Sequence, residues 1–115
     1  YNWLTTQDNS LWQGVSGTNN PCPSGYRLPT ATELDDELTD WGANHAASAF
    51  ASALKLPIAG MRNRLGSLVA VGSAANYWSS TVSGTNVTRL SFSGSASGMY
   101  DLSLASAISV RCIKD

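Results

Sequence analysis

The sequence predicts a single α+β domain that spans residues 1–115, with helices in its first half and strands in its second half. Three observations indicate this fold class. A capped amphipathic segment follows Pro29, an Ala-rich segment comes next, and from Leu56 onward short apolar runs alternate with clusters of Gly, Ser and Asn. The last pattern is typical of strands joined by turns. A chain of 115 residues can bury one core but is short for two, so we expect one domain.

The N-terminal third is rich in Asn, Gly and Trp and has no regular period. No helix or strand is predicted there. We expect its large apolar side chains, Trp3, Leu11 and Trp12, to anchor it to the core.

The first helix is predicted to begin at Ala31 and to end at Gly42. Thr30 and Glu33 have the spacing of a capping box, and Pro29 fixes the start. Three apolar residues recur at i, i+4 and i+7 and form one face, Leu34, Leu38 and Trp41. The other faces carry four acidic residues, Asp35, Asp36, Glu37 and Asp40. Helical spacing spreads these carboxylates around the axis, so a solvated face is favoured over a Ca²⁺ site.

A second helix is predicted from about Asn44 to Leu54, because Ala-rich sequence favours helix. Its apolar stripe is expected to contain Ala46, Phe50, Ala53 and Leu54. Pro57 prevents its continuation.

Six strands are predicted after the helices: Leu56 to Met61, Ser67 to Val71, Asn76 to Ser80, Val87 to Ser93, Met99 to Leu102, and Ile108 to Ile113. The period of two places Leu90 and Phe92 inside, and Arg89, Ser91 and Ser93 on the opposite face. In the last strand it places Ile108, Val110 and Cys112 inward.

The composition excludes several classes of partner. Charged residues make up 13% of the chain and the net charge is -1, so neither nucleic acid nor an anionic membrane is expected as a partner. No run approaches the roughly 20 apolar residues of a membrane span, so we expect no membrane insertion. The chain begins without Met, and we expect it to be a mature or excised part of a larger protein.

The two cysteines bracket nearly the whole fold, because Cys22 precedes the first helix and Cys112 lies three residues from the end. If they pair, the bond closes a loop of roughly ninety residues, which is worth about 4–5 kcal/mol. Such a bond persists in an oxidising compartment. The alternatives are two buried free thiols or half of a metal site. The metal site is disfavoured because His45 is the only imidazole and no CxxC occurs.

Enzymatic chemistry is not expected, because the chain offers few convergent acids, bases, nucleophiles or metal ligands. His45 lies in the Ala-rich stretch, where an ordinary structural role is favoured. Ser79 and Ser80 lack the GxSxG elbow, and the chain has neither a P-loop nor a GxGxxG motif. We therefore predict no catalytic residue, no cofactor and no metal.

A binding surface is the remaining candidate. Residues 85–103 carry many short polar side chains with Arg89, Met99 and Tyr100 among them. Such groups form adaptable contact surfaces at low entropic cost. The alternative is that they only keep exposed strands and turns soluble.

Several segments together closely resemble the Fibrobacter succinogenes major paralogous domain: LWQGVSGTNNPCPSGYRLPTATEL, LKLPIAGMRNRLGSLVAVGS, YWSST and SVRCIKD. The resemblance covers essentially the whole chain. It implies a C-type-lectin-like fold, with two helices packed on a twisted, mostly antiparallel sheet, long irregular loops and neighbouring termini. The RLPT element also resembles that of formylglycine-generating enzymes, but their catalytic cysteine pair has no counterpart here.

The resemblance implies roles for particular residues. Cys22 and Cys112 form the bridge that joins the start of the first helix to the last strand. Trp78 in the YWSS strand belongs to the core. Neither an EPN or QPD loop nor a WND element is present, so carbohydrate binding through Ca²⁺ is not implied.

The resemblance also implies a secreted or surface protein that acts in adhesion or ligand recognition. The variable proteins of diversity-generating retroelements share the fold, and their variation would correspond to the region from Asn76 to Asp101. We therefore expect a calcium-independent recognition module of an extracellular, cell-surface or virion protein, such as an adhesin or a phage tail fibre. Its partner would be a cell-surface protein or a glycan receptor.

The predicted ligand-binding residues lie on the exposed side of the sheet, its loops and the adjacent hairpin: Asn76, Thr85, Asn86, Thr88, Arg89, Ser91, Ser93, Tyr100, Asp101, Arg62 and Arg64. In this hypothesis Tyr100 stacks on the ligand, and Arg89 and Asp101 make charge-assisted bonds. The alternative function is a structural or assembly module of an extracellular filament or a virion decoration, in which the same strands contact neighbouring copies.

Overall fold

The computed structural model describes residues 4–42 and 45–115. It contains two helices, α1 (Ala31–Thr39) and α2 (His45–Ala51). Its strands are β1 (Tyr26–Arg27), β2 (Met61–Arg62), β3 (Leu68–Val69), β4 (Ala74–Ser83), β5 (Asn86–Ser93), β6 (Ser97–Ser103) and β7 (Ile113–Lys114). The strands of each sheet are antiparallel, so the predicted α+β class is confirmed.

The central sheet has the strand order β4-β5-β6. The three predicted strands in this region are confirmed, and each extends beyond its predicted limits, β5 by one residue. A two-residue turn joins β4 to β5, and Gly84 in it has a φ of 59°, which glycine adopts without a Cβ clash. The register of β4 against β5 shifts between Trp78 and Val82, which marks a bulge.

The two strands predicted before the central sheet are shorter in the structure. The prediction from Leu56 to Met61 is correct only at Met61, and the prediction from Ser67 to Val71 is correct for Leu68–Val69. Residues 56–59 form no ladder, since Pro57 has no N–H to donate. Ala70, with a φ of 56°, follows the end of β3.

The predicted strand from Ile108 to Ile113 is wrong for most of its length, because β7 contains only its last residue and Lys114. Residues 108–111 run beside β4 instead. There Ser109 donates its N–H to Asn76 O at 3.1 Å and accepts from Trp78 N at 3.0 Å. One β-bridge, between Tyr77 and Ser109, joins this segment to β4. It does not bury the next residue, and the side chain of Val110 is exposed.

Helix α1 begins at Ala31 as predicted, because the Thr30–Glu33 capping box forms in both directions. It ends at Thr39, with Asp40 as the C-cap, so the predicted end at Gly42 is too late. Leu34 and Trp41 are buried in the core and Leu38 packs against it.

Helix α2 ends at Ala51, three residues before the predicted end. Asn44, its predicted start, lies outside the described residues. Ala49 is buried and Ala46 packs against the core, whereas Phe50 is 61% exposed. The expected stripe is therefore wrong for Phe50 and also for Ala53, which is exposed. The small side chains at 46 and 49 face the core, and the large one points away.

Two apolar clusters cover the two faces of the central sheet, since successive strand residues point to opposite faces. The first cluster packs between the helices and the sheet: Leu34, Trp41, Ala49, Leu56, Ala75, Tyr77, Leu90 and Phe92. In it the Trp41 and Phe92 rings meet edge to face at 5.1 Å. The burial predicted for Leu90 and Phe92 is confirmed.

The second cluster contains Leu28, Trp78 and Val87, and Trp12 packs against it. The predicted core position of Trp78 is confirmed, and so is the anchoring role of Trp12. Leu11 is half-buried, and Trp3 lies outside the described residues.

Cys22 and Cys112 form the expected disulfide, with their Cα atoms 5.7 Å apart. The same region is held by Arg27, whose guanidinium donates to Glu33 Oε1 at 2.7 Å and to Asp115 Oδ1 at 2.7 Å. Strand β1 pairs with β7 here, so the end of the chain is fastened to the segment that precedes α1. Of the helices in the described residues, none has the length and apolarity needed to cross a membrane.

Candidate functional site

The predicted ligand-binding residues of the central sheet lie on two opposite faces. Arg89 is paired in register with Trp78 and Tyr100, and Asn76 with Ser91, so these side chains share the face that also carries the second apolar cluster. We name Asn76, Arg89, Ser91, Ser93 and Tyr100 the Arg89 face. Asn86, Thr88 and Asp101 alternate with them and lie on the helix-bearing face.

Arg89 lies between two aromatic residues, Trp78 on β4 and Tyr100 on β6. Its side chain is partly buried, and its Nε finds no hydrogen-bond partner within residues 4–42 and 45–115. Burial lowers the pKa of the guanidinium, and the nearby Tyr100 opposes that shift. The Arg89 guanidinium is therefore partly desolvated, and its Nε–H is a hydrogen-bond donor without an acceptor among the described residues.

Asn76 is 2% exposed, so its predicted place on the exposed side of the sheet is wrong. Its backbone O is used by Ser109, but its side-chain Oδ1 accepts no hydrogen bond from the part of the chain that is described. Burying an unpaired donor or acceptor costs about 1–3 kcal/mol. The Arg89 face thus carries one unmet acceptor and one unmet donor that do not contribute to folding stability.

Tyr100 supplies an exposed ring to the same face, with 52% of its surface accessible. The ring lies over Gly98, because a Cβ at that position would be 2.8 Å from the Tyr100 Oη. Because Gly98 has no Cβ, the Tyr100 ring can lie against the sheet at this position without a steric clash.

The carboxylate of Asp101 is bound on the opposite face. Its Oδ1 accepts from Thr88 Oγ1 at 3.0 Å, and its Oδ2 accepts from Ser83 Oγ at 2.7 Å. Arg89 and Asp101 therefore do not converge, and the expectation that they act together on one ligand is wrong. Thr85 is exposed in the turn beside them, and Asn86 is half-buried.

The two remaining predicted residues, Arg62 and Arg64, belong to the β2–β3 hairpin, which forms a separate sheet. Both are exposed. Arg62 exchanges two backbone hydrogen bonds with Ala107, each of 2.8 Å, and its Nη1 donates to Gly66 O.

An apolar cavity that the sequence did not predict lies at the bulged end of the Arg89 face. Its volume is about 440 Å³, and three segments distant in sequence line it together with Val87 on β5. These are the N-terminal segment with Leu11 and Trp12, the bulge of β4 from Trp78 to Val82, and residues 104–110. No local period could indicate a cavity built from three separate segments.

Several polar side chains in the cavity wall are bonded within the chain. Gln13 Nε2 donates to Ser80 O at 2.6 Å, and Ser79 Oγ donates to Thr88 O at 2.5 Å. Asp8 is the charged residue of the lining. Hydrogen bonds from the Ser10 side chain and backbone lower the pKa of its carboxyl, so it is ionised at neutral pH.

The residues considered for catalysis have ordinary partners. Ser79 and Ser80 donate to backbone carbonyl groups, and His45 Nδ1 lies 2.8 Å from Ser97 Oγ. Among the residues that the structure describes, no group of three or more His, Cys, Asp or Glu side chains could hold a metal ion.

Comparison of the chain with protein-family models, with curated proteins and with solved structures finds no match in any of the three.

Proposed function

We propose that the chain is a non-enzymatic recognition module that binds a cell-surface protein or glycan receptor through the Arg89 face, without calcium. The parent protein would be an extracellular, cell-surface or virion protein, such as an adhesin or a phage tail fibre. We also propose the finer fold assignment, a C-type-lectin-like domain. Two helices on one face of an antiparallel sheet, the capped RLPT turn and the Cys22–Cys112 bridge support it.

The observation that carries the proposal is the unpaired donor and acceptor beside a half-exposed aromatic ring. Arg89 Nε can donate and Asn76 Oδ1 can accept, and Tyr100 offers a flat apolar surface. Both atoms are buried in the free chain, so a ligand that combines hydrogen-bonding groups of both kinds with a flat face satisfies all three once the side chains that cover the two atoms move. Sugar rings with their hydroxyl groups meet that description, and so does a peptide group beside an aromatic side chain.

The half-buried Ser91 and Ser93 carry hydroxyl groups that extend the polar contact along β5. Within the described residues the Arg89 Nε has no hydrogen bond to break when the side chain turns toward a ligand. Buried polar atoms without a partner are rare in folded proteins, and a role in binding explains the two on this face.

Replacement of Arg89 by Met tests the proposal, because Met keeps the aliphatic volume and removes the charge. We expect binding to target cells or to a glycan array to fall by at least about tenfold. We expect the melting temperature to stay the same or to rise, since an unpaired buried donor is lost. Tyr100→Ala should weaken binding in the same assay.

The matched control is Arg111→Met, which removes an exposed cation from the last segment of the chain. It should bind as the wild type does. If Arg89→Met and Tyr100→Ala together leave binding unchanged, the site is not the Arg89 face.

The second candidate function is a structural or assembly module of an extracellular filament or a virion decoration. The apolar cavity and the exposed apolar hairpin favour it, because both are suited to contact with another copy. Concentration-dependent association would support this function, and a strict monomer would count against it.

A further inference from the structure

We infer that two copies of this chain form a closed pair in which each inserts the tip of its β2–β3 hairpin into the apolar cavity of the other. The inference does not depend on ligand binding at the Arg89 face. It rests on two features of the chain that match in apolarity, in charge and in position.

The first feature is a set of exposed apolar side chains in and next to the β2–β3 hairpin, with Leu65 at its tip, Leu68 on β3 and Val71 just after β3. Leu65 is 79% exposed, Leu68 64% and Val71 65%. Large apolar side chains exposed in one short segment are a candidate interaction surface, and Leu65 is the most exposed of the three. Phe50, another large apolar side chain of similar exposure, belongs to α2.

The hairpin is held in one conformation before any partner arrives. Asn63 Oδ1 accepts from Leu65 N at 3.0 Å and from Ser67 N at 3.1 Å. The Gly66 N–H donates to Asn63 O at 2.9 Å, and Arg62 Nη1 donates to Gly66 O. Insertion of such a tip therefore costs little additional conformational entropy.

The second feature is the cavity, which suits an apolar side chain better than a polar ligand. Trp12, Trp78 and Ile108 form parts of its wall, and its Gln13 and Ser79 side chains are already bonded to backbone carbonyl groups. A polar ligand would find few free partners there. A volume of about 440 Å³ is ample for a pair of leucine side chains.

The charges beside the two features are opposite in sign. Arg62 and Arg64 precede Leu65 in the hairpin. The carboxylate of Asp8 belongs to the lining of the cavity. Charges placed in this way favour the inserted register and oppose a hairpin-to-hairpin contact.

The positions of the two features favour a closed pair over an open filament. Ala107 lines the cavity and exchanges two backbone hydrogen bonds with Arg62 at the base of the hairpin. Hairpin and cavity are thus neighbours on the molecule. A twofold axis between them brings each hairpin to the cavity of the other copy, and a twofold contact closes.

Sedimentation equilibrium from micromolar to millimolar chain concentration tests the inference on the oxidised full chain. We expect a monomer–dimer equilibrium, and we expect Leu65→Asp to raise its dissociation constant by at least about thirtyfold. Leu65 is exposed, so this variant should fold with an unchanged melting temperature. The matched control is Phe50→Asp, which should dimerise like the wild type.

Two further measurements locate the contact. Asp8→Arg should weaken the dimer, and Arg64→Asp in the same chain should restore it at least in part. Dilution should shift the fluorescence of Trp12 and Trp78, because the inserted side chains leave the cavity.

A monomer at every concentration would overturn the inference. So would equal effects of Leu65→Asp and Phe50→Asp on association. If indole fills the cavity without dissociating the dimer, the cavity is a small-molecule site and the reciprocal insertion is wrong.

Discussion

At the scale of single residues, the guanidinium groups of two arginines differ in their hydrogen bonding. Arg27 donates to two carboxylates, Glu33 and Asp115, and these bonds raise its pKa. Arg89 is partly buried with an unpaired Nε, and burial lowers its pKa. Arg27 therefore contributes to the fold, whereas Arg89 is held ready for a partner in the proposed function.

Glu33 should make stability depend on pH in the acid range. Hydrogen bonding to Arg27 lowers its pKa from 4.5 to about 2, so the folded state favours the ionised carboxylate. This stabilisation is complete above about pH 4.5 and is lost as the pH falls through about 2. Gln at 33 can still cap α1 but cannot form the ion pair.

We expect Glu33→Gln to lower the free energy of unfolding by about 1 kcal/mol or less at pH 7, because solvent screens a partly exposed pair. The difference from the wild type should shrink as the pH falls below 4.5 and vanish below about pH 2, as measured by urea unfolding at a series of pH values. Asp35→Asn on the same helix is the control and should show no such loss. A difference that persists unchanged at pH 2 would contradict the assignment.

At the scale of elements, the predictions from the sequence were most accurate for features that depend on residues close together in the chain. The start of α1 depends on Thr30 and Glu33, which are three positions apart, and it is correct. The burial of Leu90 and Phe92 follows from alternation along one strand, and it is also correct.

Elements that depend on distant residues were predicted poorly. Strand β1 pairs with β7 over two residues each, which is too short to show a period. Residues 108–111 alternate like a strand, yet their place is set by a single bridge to β4. The orientation of α2 was misjudged because a helix of two turns offers few positions from which to identify its buried face.

The contrast between α1 and α2 gives a direct test of which face each helix buries. Leu34 is fully buried, so Leu34→Ala should cost about 2–5 kcal/mol of unfolding free energy. Phe50→Ala should change it by no more than about 0.5 kcal/mol, because the ring is mostly in solvent. Urea unfolding of both variants measures the difference, and a comparable loss for Phe50→Ala would show that its ring is buried.

At the scale of the whole molecule, the disulfide joins segments 90 residues apart in sequence. Its pairing followed from the family resemblance, and the structure confirms it. The site was predicted less well. The residue types of the Arg89 face were found from composition, but the separation of Asp101 from Arg89 and the burial of Asn76 depend on sheet register and on the contact with Ser109.

Replacement of both cysteines by serine should lower the free energy of unfolding by about 4–5 kcal/mol, because the unfolded chain gains the entropy of an open loop. Guanidinium unfolding of the double variant Cys22→Ser, Cys112→Ser against the wild type measures this loss. Wild type under reducing conditions is the matched comparison and should lose a similar amount. A loss below about 1 kcal/mol would mean that the other contacts between the same segments already hold them together.

The position of the bridge also decides how the chain would carry tension. A pull on its two ends would pass from residues 1–22 through the Sγ–Sγ bond to residues 112–115, and residues 23–111 would lie outside the load path. The oxidised chain could then lengthen to only about 90 Å, against about 400 Å without the bridge. The Arg89 face and most of the cavity wall would therefore keep their shape while the two ends of the chain were under tension.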